Sequence, residues 1–477
     1  MKKNTTKEKE NNATVTSSEK KWIPLRERKS ISIFRIFAIC SNQIALSFIW
    51  VPLSVLTAPM CKKLGLSHFS TSLVMLIGPL TGLIVPPIVS ALSDSTTLKM
   101  GPRRIYIILG EILVIIGLPM IGFCREISTH FNPLSFILPE PKEGEIRDTN
   151  KEATFYFVIG ELLALVGGNM ANGPGRAMCT EVVPPSQKVL ASSIIALDNA
   201  LAALISNSIG AFKLYRYTNF SNETFVMIVS CVIGIAAITF SVISTPEEQL
   251  KVKPKSCNPI TVLIDSVCSI DKNMFFILCS NFFYGFGYSQ FYAQGANYIA
   301  GHKFGGVPNA PDGIFDAGIS YYQFLMLFLT CSQLVCSSVN TKLIKRIGFK
   351  WAWSIAMIFQ ATSDILLFII KSKKYLFIPY ILCGFTSVMN NSVPLSYVSL
   401  NAPPEQSAGY ITLLILTNNI SAMLANVFLY MFLGSMPFFM EDQGRLIALG
   451  SIFCIISFFT CRIGYGTKAK AKKDKTE

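Results

Sequence analysis

From Ser30 almost to its end, the chain alternates apolar runs of about 20 residues with short polar breaks. That is the length of helix needed to cross the hydrocarbon core of a bilayer, about 20 residues at 1.5 Å each. Twelve such runs lie near 31–56, 70–92, 105–124, 154–181, 189–212, 224–244, 274–299, 318–339, 351–370, 376–399, 407–432 and 446–463. Lipid offers no partner to a backbone N–H or C=O, and barrel strands would be half as long and alternating. The pattern therefore predicts an all-α membrane protein with twelve transmembrane helices. Residues 1–29 are rich in Lys, Glu, Asn and Thr and are expected to form a disordered tail, too polar for a signal peptide.

Composition narrows the class. Of 477 residues, 51% are hydrophobic and only 15% charged, where a soluble chain carries roughly 25% charged residues. A soluble enzyme, a nucleic-acid-binding module and a disulfide-built secreted domain are excluded. Three histidines and no HExxH or CxxC spacing call for no metal and no cofactor. The thirteen cysteines sit mostly inside apolar runs, as Cys40, Cys231, Cys279 and Cys383 do, and behave there as small apolar residues. The net charge of +14 resides in loops and tails. With twelve crossings, the side bearing both termini holds 27 Lys and Arg and the opposite side 13. The positive-inside rule then places both termini in the cytoplasm. Two sequons, at Asn219 and Asn222, fall in one predicted outer loop and agree.

The chain repeats itself. Asn172, Pro184 and Gln187 recur at an offset of 219 as Asn391, Pro403 and Gln406. The basic loop with Gly101, Arg103 and Arg104 is echoed by Lys345, Arg346, Gly348 and Lys350. This predicts two parallel six-helix bundles, 30–244 and 274–464, joined by a cytoplasmic linker at 245–273, with a basic cytoplasmic tail at 465–477. Such repeats mark secondary transporters that rock around a midplane site.

The loop after the second run resembles the signature loop of the major facilitator superfamily. More specifically, Gly65 to His68, Gly78-Pro79, Gly82, Pro87, Ser93-Asp94 and Gly101 to Arg104 resemble the plant sucrose–proton symporters and their animal relatives, the glycoside–pentoside–hexuronide type. Asn169, Gly173, Pro174, Arg176 and Ala177 resemble that family's fourth-helix motif, and Ser392 to Pro394 with Gly409 its tenth-to-eleventh segment. The resemblance implies the major facilitator fold, a sugar substrate, proton symport and a gating role for Asp94, Gly101, Arg103 and Arg104. It also exposes departures. The family's proton-coupling Asp of the fourth helix is Leu165 here, the acidic end of its seventh helix is missing around Tyr292 to Asn297, and Ser95 stands where an Arg is usual.

Residue chemistry supplies candidates of its own. Arg176 is an intramembrane guanidinium, costly unless it is functional or paired. Asn169, Asn172 and Arg176 share one helix face, which Glu161 and Leu165 extend. Glu161 and Asp198 are the proton-coupling candidates, with Asp364 and Glu111 as further intramembrane acids. Sugar recognition needs neutral hydrogen-bonding groups and an aromatic face. Gln43 and Trp50 offer these in the first run, Tyr284, Tyr288, Gln290, Gln294 and Asn297 in the seventh, and Asn391 in the tenth. The expected protein is a monomeric multi-pass carrier, not an enzyme, moving a disaccharide or glucoside such as sucrose by alternating access, with protons as the candidate coupling ion. The plasma membrane is its expected location, and an internal membrane the alternative. A carrier of an anionic or amphipathic solute, held by Arg176, and a non-transporting sugar sensor are the competing readings.

Overall fold

The computed structural model describes residues 25–98, 100–131, 149–245, 267–268, 270–401 and 404–465. Among them there is no strand. The expectations for residues 1–24, 246–266 and 466–477 lie outside the described residues. Leu25–Glu27, inside the expected disordered tail, form a 3-10 turn in which Leu25 is buried among Ile36, Cys179 and Val183.

A short leading helix, Ile33–Cys40, precedes the first long one. The break between them falls at Ser41, whose hydroxyl donates to the carbonyls of Ala38 and Ala237, both at 2.9 Å. The first half then comprises α1 (Asn42–Lys63), α2 (His68–Ser95), α3 (Arg104–Gly122), α4 (Thr149–Glu181), α5 (Lys188–Ala211) and α6 (Asn222–Ser244). The second half begins with α7 (Lys272–Tyr298). Next comes a helical stretch of 56 residues, Ile314–Ile369, which would span roughly 84 Å if straight. It breaks at Gly348, whose φ of +80° and ψ of 163° are not helical, giving α8 (314–347) and α9 (349–369). The half is completed by α10 (Phe377–Asn401), α11 (Pro404–Ala425) with its π-helical continuation Asn426–Phe432, and α12 (Gly444–Gly464). Several helices start where a short polar side chain satisfies an orphan N–H: Ser67 for Ser70 at 3.1 Å, Ser221 for Thr224 at 3.1 Å and Asp271 for Met274 at 2.7 Å.

Ten helical stretches among the described residues are long and apolar enough to span a membrane, with α8 and α9 counted together. Splitting that pair and adding α7 restores the twelve crossings the sequence predicts. The apolar run of α7 is interrupted by Asn281, Gln290, Gln294 and Asn297, which is why hydropathy alone passes over it. The repeat is visible in the backbone. Gly101, after α2, and Gly348, after α8, both adopt positive φ, +94° and +80°. Only glycine does so without steric cost, so the two halves turn at corresponding points on the same kind of residue.

Within the halves, helices meet on small residues, as expected where lipid supplies no hydrophobic drive. A methyl group on Gly110 would stand 2.6 Å from the Gly167 carbonyl oxygen, and one on Gly117 2.6 Å from that of Gly160. α3 and α4 are thus in backbone contact at two levels seven residues apart. Apolar side chains such as Ile84, Ile88, Val232, Ile243 and Phe459 are exposed on the outside, where lipid would lie.

Candidate functional site

A cavity of about 1200 Å³ lies between the halves. α1 contributes Trp50, Ser54 and Thr57, and α4 contributes Glu161, Leu165, Asn169, Asn172 and Arg176. From the other half come Tyr288, Ser289 and Tyr292 of α7, Asn418 and Asn419 of α11, and Asn426. The helical spacing of 161, 165, 169, 172 and 176 puts all five α4 side chains on one stripe.

α2 forms another wall. Pro79, Pro86 and Pro87 line the cavity, and so do Met75, Gly82 and Leu83, each four residues before one of these prolines. Proline has no N–H to give to the carbonyl one turn back, so each of these three carbonyls loses its intrahelical donor. Thr81 turns its hydroxyl to the carbonyls of Ile77, 2.8 Å, and Gly78, 2.9 Å, and receives Asn169 Nδ2 at 3.2 Å. Asn169 also donates to Leu165 O at 2.9 Å. Gly82 lies close to both amides: a methyl there would sit 3.3 Å from Asn419 Nδ2, tight enough to shift it slightly, and 3.7 Å from Asn169 Oδ1. Amides of the two halves thus converge on one bare stretch of backbone.

The two ends of the cavity differ. Thr57, Val74, Glu161 and Asn426 are buried, whereas Pro87, Ser90 and Arg176, toward the side of the termini, are exposed. Polar contacts between the halves cluster at the buried end. Lys63 Nζ reaches Glu223 of its own half at 2.6 Å and Asp316 of the other half at 2.5 Å. Asn309 donates to Lys63 O at 2.6 Å, Arg125 donates to Asn309 Oδ1 at 3.1 Å, and Lys62 donates to Gln443 Oε1 at 3.3 Å. At the same helix ends, Asn222 donates to Gln323 Oε1 at 3.2 Å, and His68 packs edge-on against Tyr430, centroids 5.2 Å apart. The cavity opens toward the termini and is sealed opposite them.

The model of the Major Facilitator Superfamily matches residues 37–426. The chain belongs to the major facilitator superfamily. Among curated relatives it is 32% identical to Sucrose transport protein SUC3 of Arabidopsis thaliana over 186 residues, 38% of this chain and 30% of that protein. It is 24% identical to Sucrose transport protein SUT5 of Oryza sativa subsp. indica over 347 residues, 68% and 64% of the two chains. The matched segments thus span less than two thirds of those relatives. Solved structures share the fold: a point variant of the nucleoside transporter NupG at TM-score 0.66, with 11% identity over 91% of this chain and 100% of that one. A POT family transporter in complex with 5-aminolevulinic acid aligns at TM-score 0.63, with 13% identity over 92% and 97%.

In this major facilitator chain, six of the substrate-binding and proton-coupling candidates line the cavity: Trp50, Glu161, Asn169, Asn172, Arg176 and Tyr288. Others lie behind it or elsewhere. Gln43 is buried and donates to Asn42 Oδ1 at 2.7 Å. Tyr284 is buried behind Tyr288, their rings stacked at 5.1 Å. Gln290 donates to Ala425 O at 3.3 Å, and Gln294 meets Met75 Sδ at 3.8 Å. Asn297 is fully buried, and Asn391 is exposed away from the cavity lining. Asp198 is fully buried outside the cavity lining. Of the loop residues, the side chain of Asp94 lies outside the described residues. Arg103 Nη1 donates to Ser93 Oγ at 2.9 Å, Arg104 donates to Val242 O, and Gly101 supplies the turn. Of the further acids, Asp364 accepts from Gln360 at 2.9 Å, and Glu111 is buried where a methyl on Gly234 would stand 2.6 Å from its Oε1.

Sequence reasoning passed over Thr57 and Asn426. Thr57 donates to Glu161 Oε1 at 3.0 Å. Both were within reach: Thr57 continues the stripe of Trp50 and Ser54 by one turn, and Asn426 lies seven residues, two turns, beyond Asn419. The carbonyls freed by the α2 prolines had a signal too, in the proline spacing itself.

Proposed function

We propose that the protein is a sugar carrier working by alternating access, its substrate a disaccharide or glucoside of the sucrose class. The observation that carries this reading is the cavity itself. It sits between two repeated halves, is sealed at one end and open at the other, and is walled by asparagine amides, aromatic rings and a proline-broken stretch of α2. Those groups suit hydroxyls, which both give and take hydrogen bonds, and Trp50, Tyr288 and Tyr292 offer faces for the apolar side of a pyranose. The names of the relatives support the same substrate class.

In this reading the halves rock about the cavity. The Lys63 contacts close the side opposite the termini, and the loop of Asp94, Gly101, Arg103 and Arg104 closes the other. Glu161, which lines the cavity, is the proton-coupling candidate carried forward ahead of Asp198, which does not line it. Both termini are cytoplasmic, the carrier is a monomer, and it acts at the plasma membrane. The test is uptake into reconstituted vesicles of a panel of sugars, with and without an imposed pH gradient. Accumulation of a sugar driven by the gradient is the expected result; no uptake of any sugar overturns the reading. A carboxylate-bearing solute is the second reading, favoured by Arg176 at the open end, and competition by carboxylates but not sugars in the same vesicles would select it.

A further inference from the structure

Two buried oxygens at the sealed end of the cavity have no hydrogen-bond partner among the described residues, Glu161 Oε2 and Asn426 Oδ1. Both side chains line the cavity, are only 3% and 6% exposed, and come from opposite halves. The other oxygen of Glu161 is taken by Thr57, so the carboxyl is held on one side and open on the other. Asn426 begins the π-helical turn Asn426–Phe432, a rare geometry that is frequent at functional sites.

The chemistry of the two atoms limits what can sit there. An amide oxygen only accepts hydrogen bonds, whereas a carboxyl accepts when ionised and donates when protonated. A hydroxyl meets both demands, and an ether, a halogen or a methyl group does not. A ligand that enters this end displaces water and must bring a donor of its own, an O–H in the case of a sugar, or leave a desolvated acceptor unpaired. We infer that Asn426 is a specificity-determining residue that receives a hydroxyl donated by the substrate's leading sugar ring. That ring sits against Glu161 and Thr57 at the sealed end, and the rest of the substrate trails past Pro86, Pro87 and Leu416 toward the open end. The inference rests on the reading of the protein as a sugar carrier and adds to it the orientation of the sugar and the atom that reads it.

The experiment uses purified full-length protein, labelled sucrose as probe, and competition by sucrose analogues in which one hydroxyl at a time is replaced by fluorine, which cannot donate. In the wild type, one analogue is expected to bind about tenfold more weakly than sucrose, the usual cost of one lost buried hydrogen bond. Asn426→Leu keeps the volume and removes the acceptor. It should bind sucrose about tenfold more weakly and no longer distinguish that analogue, while Asn426→Asp, which keeps an acceptor, recovers the distinction. This convergence is the signature of direct coupling between the residue and the hydroxyl, and a merely structural role would not produce it. Asn426→Ala serves in place of the leucine variant should the latter fail to fold. If sucrose binds but the analogue's penalty is the same in the wild type and the variants, the inference falls and sugar carriage stands. If neither sucrose nor any panel sugar is bound or carried, the functional reading falls, and the inference with it.

Discussion

Glu161 and its neighbours show how single residues set the chemistry of the cavity. A carboxyl one turn from Leu165, held by Thr57 and facing the cavity, is where a proton could be exchanged beside the substrate. Glu161→Gln is expected to abolish accumulation driven by a pH gradient while leaving exchange of sugar for sugar intact; counterflow in vesicles measures both. Gly82 is the other instructive position. A methyl there would press on the Asn419 amide at 3.3 Å and touch Asn169, so Gly82→Ala should raise KM severalfold with little loss of folded protein. Residues on the α4 stripe were legible in the sequence because intramembrane polar groups at helical spacing must share a face. Gln43, Gln290, Gln294 and Asn297 were not, because periodicity identifies a face without saying whether it meets a cavity or another helix. In these cases the amides pack against helix backbones or side chains instead.

At the scale of elements, glycine does two different jobs. Gly110, Gly117, Gly160 and Gly167 bring α3 and α4 into backbone contact. A side chain there has no room to move aside, and overpacking of this kind costs about 1–3 kcal/mol. Gly117→Val should therefore lower the melting temperature of the purified protein by several degrees without changing KM in whatever survives. Gly348 instead supplies a backbone geometry, and forcing a side chain into such a region costs about 1–3 kcal/mol. Gly348→Ala is expected to lower stability by that amount, read by thermal unfolding. The sequence predicts a basic loop between α8 and α9, and the turn proves so tight that one residue breaks the helical run. The apolar run at 274–299 marks α7 in the sequence even though its polar residues, which make the helix interesting, dilute the signal.

Across the whole molecule, the contacts that join the halves cluster on the side opposite the termini, at the sealed end of the cavity. Asp316 is half exposed, so its pair with Lys63 is worth about 1 kcal/mol or less. Asp316→Asn should shift the population toward the state open on that side by up to about fivefold. A cysteine placed at Ser54 would then react faster with a membrane-impermeant thiol reagent added on that side. No sequence pattern pointed to this contact: residues 63 and 316 share no motif and are brought together only by the docking of two bundles. Lys63 engages two acids, one from each half, and only one of them leaves when the halves part. Glu223 keeps the ammonium company in the opened cleft, so no solitary cation is stranded in a low-dielectric surrounding. On the proposed alternating-access reading, the opened state is then not penalised by an unpaired buried cation.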